Sequence, residues 1–190
     1  KITISRAKYT LDYPCSFMFV ASMNPCPCGY YGDSTHHCVC RPGQIAKYMS
    51  KISGPLLDRI DIQIEINPVP FKDISQVAEG EKSAFIRERV IKARKKQELR
   101  YAQIKGVHCN AQMSERMIHQ FAEPDEAGVA LLRTAMERLN LSARAYNRIL
   151  KVARTIADLD DSDQVLSRHL SEAISYRTLD RGDWAERGTC

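Results

Sequence analysis

At 190 residues, with 44% apolar and 27% charged residues, the chain has the size and composition of one ordinary soluble domain or two small ones. No apolar stretch reaches the roughly 18 residues that cross a bilayer, and these first residues lack the order of a signal peptide, so the default expectation is a cytoplasmic protein. The balance of 28 Lys and Arg against 23 Asp and Glu, a net +5, permits contact with phosphate or nucleic acid without requiring it.

In chain order, Lys1 to Ser5 alternates, with Ile2 and Ile4 on one face, and predicts a half-buried strand that starts with no lead-in, as though cut from a longer chain. Phe17-Met18-Phe19-Val20-Ala21 is a continuous apolar run, as in a strand covered on both faces of a parallel sheet. It ends at Ser22-Met23-Asn24-Pro25, and an irregular insert with few apolar residues follows. Gly54-Pro55 opens a short helical turn. Ile60, Ile62, Ile64 and Ile66 then alternate with Asp61, Gln63, Glu65 and Asn67, a period of two that stops at Pro68.

From Phe71 onward the periodicity becomes helical. Ile86, Val90, Ala93, Gln97 and Tyr101 form one stripe, and Arg87, Arg89, Lys92, Arg94, Lys95, Lys96 and Arg100 cover the rest of a long basic helix. A short helix is expected over residues 114–121, and a longer one from Asp125 to Leu139 with Val129, Leu132, Met136 and Leu139 inward. Ser142 caps a helix whose apolar face is Tyr146, Ile149, Leu150, Ala153, Ile156 and Ala157. Ser162 or Asp163 opens the last helix, with Leu166, Leu170, Ala173 and Ile174 inward. The chain thus reads as mainly α overall: an α/β portion with few strands over residues 1–70, then a helical bundle over 71–190.

Several residues invite chemistry. Asn24 lies where a buried strand runs out, the edge at which open parallel sheets bind ligands, and its amide can orient a water without a charge that opposes phosphate. Asn-Pro also starts turns. Arg59 can neutralise charge on a transferred phosphoryl group or form a surface ion pair with Asp58 or Asp61. Arg144, in the first turn of the helix capped by Ser142, is either a bidentate partner for phosphate oxygens or a solvated arginine.

Of seven cysteines, Cys26, Cys28, Cys38 and Cys40 form two Cys-x-Cys pairs, while Cys15, Cys109 and Cys190 read as ordinary thiols. Four thiolates can close a tetrahedral structural zinc site, the alternative being free thiols in a reducing cytosol. His36 and His37 are available to replace one ligand. A catalytic zinc is disfavoured, because that use leaves one position open and Asp33 is the lone carboxylate inside the cluster. The basic helix is an electrostatic footprint for nucleic acid or simply a solvated face.

The blocks Ile4-Ser5-Arg6-Ala7, Met23-Asn24-Pro25-Cys26-Pro27-Cys28-Gly29, Ser53-Gly54-Pro55-Leu56-Leu57-Asp58-Arg59-Ile60-Asp61 and Ser142-Ala143-Arg144-Ala145-Tyr146 resemble the magnesium chelatase-like branch of the AAA+ ATPases. Within it they are similar to the ComM competence-protein group, and they run in the family's order along nearly the whole chain. The resemblance implies the end of a P-loop core followed by a lid, with Asn24 at the sensor 1 position, Arg59 as arginine finger and Arg144 as the sensor 2 arginine. It also implies ATP and Mg²⁺ as cofactors of the complete protein, other subunits of a ring, usually a hexamer, as partners, and DNA as the substrate acted on.

One departure is large. No Gly-x-x-x-x-Gly-Lys-Ser/Thr occurs, and no apolar strand ends in the Asp-Glu pair that holds magnesium. The expectation is that these residues alone neither bind ATP well nor hydrolyse it. A free-standing, zinc-ordered module that contacts DNA through its basic helix is the competing reading.

Overall fold

The computed structural model describes residues 1–15, 17–33, 35–66, 69 and 80–177. Strands β1 (Ile2–Arg6) and β2 (Tyr9–Tyr13) pair antiparallel, with Ile2 opposite Tyr13, Ile4 opposite Leu11 and Arg6 opposite Tyr9. The loop between them is only Ala7-Lys8, and Ala7 takes a positive φ of 48°, as two-residue hairpin turns demand. One face carries Ile2, Ile4, Leu11 and Tyr13. The other carries Thr3, whose hydroxyl donates to Asp12, and Lys1, whose ammonium lies 2.7 Å from the same carboxylate.

β1 matches the expected first strand, but β2 was not foreseen and the ribbon is exposed rather than half-buried, with Ile2 at 55% and Ile4 at 53%. The two other expected strands do not form. Phe17 to Ala21 and residues 60–66 have no regular structure, and Phe17, Met18, Phe19 and Val20 are all well exposed. An apolar run becomes a buried strand only when neighbouring strands accept its backbone hydrogen bonds, and the described residues provide none.

Helix α1 (Pro42–Met49) follows the cysteine insert, with proline at its first position. Helix α2 (Gly54–Leu57) is a single turn. The bulk of the described chain is helical: α3 (Ser83–Tyr101), a 3₁₀ turn (Asn110–Gln112), α4 (Glu115–Phe121), α5 (Glu126–Leu139), α6 (Ala143–Leu159) and α7 (Ser167–Ser175). The chain is therefore mainly α, a helical bundle after a small strand region. The start of that bundle at residue 71, Pro68 and Cys190 lie outside the described residues.

Side-chain caps fix three helix starts. Ser114, Asp125 and Ser142 each accept a hydrogen bond from a backbone N–H three residues on. Helix α6 is central, packing against α3, the 3₁₀ turn, α4 and α7, and α5 packs on α7. Ala145, Ile149, Leu150, Ala153 and Ala157 of α6 meet Tyr101, Met117, Ile118, Leu132, Val165 and Leu170 in one apolar cluster. Alanines at 145, 153 and 157 let the neighbouring helices come close.

Three expectations need correction. Val129 is exposed, because α5 turns only Leu132, Ala135 and Gly128 fully inward. The last helix starts at Ser167 rather than at Ser162 or Asp163. The carbonyls of those two residues instead accept hydrogen bonds from Arg154, at 2.5 and 2.6 Å, and the chain bends at Asp163 and Gln164 before Val165, which bridges to Pro124. The stripe on α3 is buried only in its second half, at Ala93, Gln97 and Tyr101, while Ile86 and Val90 face solvent.

Candidate functional site

The four insert cysteines converge. Gly29 and Gly32, at φ 88° and 82°, turn the backbone, and the Gly29 N–H donates to the Cys26 carbonyl at 3.1 Å. Asp33 closes the next turn: its carboxylate accepts from the Thr35 N–H at 2.6 Å, the Thr35 hydroxyl at 2.7 Å and the His36 N–H at 3.0 Å. Those bonds, the Thr35 hydroxyl first, hold the Asp33 carboxyl down to about 2. The result places Cys26, Cys28, Cys38 and Cys40 with all sulfurs within 4.8 Å of one another and Cys26 fully buried.

This donor set fits zinc. Zinc–sulfur bonds of about 2.3 Å in a tetrahedron put sulfurs about 3.8 Å apart, and the observed separations are 3.3 Å (Cys26–Cys28), 3.5 Å (Cys28–Cys38) and 3.7 Å (Cys26–Cys38). The thiols also compete for charge. The Tyr30 N–H lowers Cys28 to about 6, whereas burial and the adjacent sulfurs, outweighing the Cys40 N–H, push Cys38 up to about 12. Four thiolates coexist in that space only around a cation. Neither histidine joins them: His36 stacks on Tyr30 at 4.9 Å and bonds Thr35 at 2.8 Å, and His37 lies outside the sulfur group.

Asn24 stands just before this insert, exposed, with its amide nitrogen 3.9 Å from where a side chain on Gly29 would begin. Arg59 is exposed just beyond α2 and donates to the Pro55 carbonyl at 2.5 Å. It does not take the ion pair with Asp58 or Asp61 that its spacing allows. Asp61 pairs with Arg148 of α6, and Asp58 lies 3.9 Å from Arg177. Arg144 is exposed in the first turn of α6, one turn from Arg148. The Arg59 segment and the Arg144 helix are therefore tied together, with both guanidinium groups left to solvent.

A buried polar network, unforeseen from the sequence, sits further along α6. Asp158, 2% exposed, accepts from Arg100 at 2.8 Å, Arg154 at 2.9 Å and the Asn110 amide at 2.9 Å. Asn110 in turn accepts from the Tyr101 hydroxyl at 2.7 Å, and its N–H donates to Gln97 at 3.1 Å. Arg100, assigned by its spacing to the exposed basic side of α3, is instead bound to this carboxylate. Burial alone would raise the Asp158 carboxyl, but the Arg100 and Asn110 hydrogen bonds and the Arg154 charge bring it below the usual range. The signal was available: Arg154 and Asp158 are four apart and fall on the alanine face of α6, where a charged pair must be buried. On α3, Arg89 pairs with Glu81 and Lys96 with Asp161, leaving Arg87, Lys92, Arg94 and Lys95 exposed.

A helical bundle preceded by a four-cysteine loop and an arginine-bearing turn defines a class, and comparison gives it a family. Residues 80–177 match the family described as magnesium chelatase, subunit ChlI C-terminal, and residues 1–74 match magnesium chelatase, subunit ChlI. The chain belongs to this magnesium chelatase ChlI family. It is 41% identical over 183 residues to the uncharacterized protein YifB of Escherichia coli, a match that covers 95% of this chain and 35% of YifB. It is 40% identical over 182 residues to competence protein ComM of Haemophilus influenzae, covering 95% of this chain and 34% of ComM. The chain thus spans about a third of the length of these relatives. Among the described residues, no helix is long and apolar enough to cross a membrane.

Proposed function

We propose that these residues are the C-terminal part of an ATP-driven AAA+ ring of the magnesium chelatase-like type that acts on DNA. Asn24 orients the attacking water as sensor 1, Arg59 reaches the nucleotide of the neighbouring subunit, and Arg144 senses phosphate at the start of the lid helix. The observation that supports this best is the pairing of Asp61 with Arg148, which keeps the Arg59 turn against the helix of Arg144 while both arginines stay exposed. Exposed, well-supported guanidinium groups suit contact with phosphate; structural arginines of this chain, such as Arg154, are buried instead.

The residues present do not themselves make an ATP and magnesium site. No glycine-rich loop or magnesium-holding acidic pair is in the sequence, so the chain contributes only charges at the rim of a cradle formed elsewhere. Zinc does fit, in a structural role: Cys26, Cys28, Cys38 and Cys40 would hold it, and the ion would order a loop that has almost no core of its own. The exposed cations Arg87, Lys92, Arg94 and Lys95 are the surface for a DNA backbone.

Titration of the 190 residues with ATP should show no micromolar affinity. In the full-length protein, Arg59→Ala should cut ATP turnover on the order of 10³-fold, the worth of an arginine finger. Full turnover in that variant would overturn the assignment. A second reading, a zinc-ordered DNA-binding module without ATPase activity, is favoured by the presence of a four-cysteine cluster and a basic helix in one chain. An upstream reading frame encoding a glycine-rich loop ending in Gly-Lys-Ser or Gly-Lys-Thr excludes that second reading, and a stop codon with a ribosome site just before Lys1 supports it.

A further inference from the structure

The turn that carries Arg59 is held by the helical bundle on both sides of that residue. Arg177, fully buried just past the end of α7, donates to the Ile60 carbonyl and lies 3.9 Å from the Asp58 carboxylate. The Gln63 N–H donates to the Tyr176 carbonyl at 2.9 Å, and the Gln63 side chain, itself buried, reaches back to the Leu57 carbonyl at 3.2 Å. Asp61 pairs with Arg148 on α6. Asp58, Ile60, Asp61 and Gln63 are thus all engaged across the turn or with the bundle, whereas the exposed Arg59 side chain bonds only to the Pro55 carbonyl of its own turn.

A buried guanidinium aimed at a loop carbonyl is a costly arrangement, and here it replaces the strand pairing that residues 60–66 lack. We infer that Arg177 and the Asp61–Arg148 pair form a positioning clamp that makes Arg59 move as one body with the helix of Arg144. Resting on the function proposed above, this gives the clamp a regulatory meaning. A lid that shifts when its own subunit binds nucleotide carries with it the finger that serves the next subunit, so two nucleotide sites are coupled through one helix. Arg177 and Arg148 are positioning residues, since neither touches the reacting phosphate.

The test uses the full-length protein. Asp61→Arg sets two cations against each other at a surface-accessible point, where loss of folding is not expected. It should lower kcat about tenfold and change KM less than about twofold, as for a displaced catalytic group. The swapped double variant Asp61→Arg with Arg148→Asp should recover kcat to within about threefold of wild type. Arg177→Met should, in the 190-residue chain, speed amide exchange at Gln63 about tenfold while amides in the centre of α6 stay protected.

Wild-type kcat in Asp61→Arg, or no recovery in the double variant, would overturn the clamp even where Arg59→Ala abolishes turnover. Full turnover in Arg59→Ala overturns the finger assignment instead, and the coupling falls with it. The amide-exchange result still separates the two, because it reads the clamp without ATP.

Discussion

Asp158 shows how one residue sets the local architecture. Its carboxylate is shared by Arg100 and Arg154, and its replacement leaves two cations in a region from which water is excluded. Asp158→Asn, nearly identical in shape, should therefore destabilise the bundle by about 3–5 kcal/mol in urea unfolding. The acid limb follows from the same carboxylate. Its folded pKa is below the unfolded value of about 3.9, so the stability it contributes is complete above that value and is lost as pH falls further toward the folded pKa. The unfolding midpoint of the wild type should drop below about pH 4 more steeply than that of Asp158→Asn. Sequence reasoning located Ser142 and the apolar residues around Asp158 but placed Arg100 in solvent. Spacing along α3 says which residues share a face; it does not say which distant helix offers a carboxylate to that face.

At the scale of elements, legibility followed the range of the forces involved. The starts of α4, α5 and α6 are set by side chains bonded to N–H groups three residues on, and for that reason Ser142 was readable as a cap and residues 114 and 125 as helix starts. The start of α7 was misplaced because Ser162 and Asp163 have their carbonyls bound by Arg154, a tertiary contact. The strands at 17–21 and 60–66 failed because strand formation depends on partners that the described residues do not include. Gly128 tests the packing between α5 and α7. A Cβ there would stand 2.6 Å from Leu170, 2.8 Å from the capping carboxylate of Asp125 and 2.9 Å from Pro124. Gly128→Ala gains helix propensity but should lower stability by about 1–3 kcal/mol, seen as a reduced melting temperature, because the clash reaches both cap and core. The cysteine loop gives a separable prediction. Metal analysis of purified protein should find one zinc per chain. A chelator should expose the loop to protease without changing helical circular dichroism, because the loop and the bundle have separate sources of order.

At the scale of the whole molecule, the residues group into a well-buried helical half and a first part whose apolar side chains lie largely in the open. The candidate residues fall in both: the cysteine loop, Asn24 and the Arg59 turn lie in the first and Arg144 in the second, and the Asp61–Arg148 pair links the Arg59 turn to the helix of Arg144. The grouping of the four cysteines was legible because cysteine spacing is local and chemically specific. The clamp was not, since Arg177 is 117 residues from the carbonyl it holds. The exposed run Phe17-Met18-Phe19-Val20 has a consequence for the chain in the test tube. It carries no charge and no proline, and no strand among the described residues pairs with it. Such a segment is a template on which one molecule can add to the next, and nothing in it acts as a gatekeeper. Light scattering of the isolated chain should therefore grow with concentration, and Phe19→Lys, which interrupts the run without touching the bundle, should raise the concentration at which the chain remains monomeric.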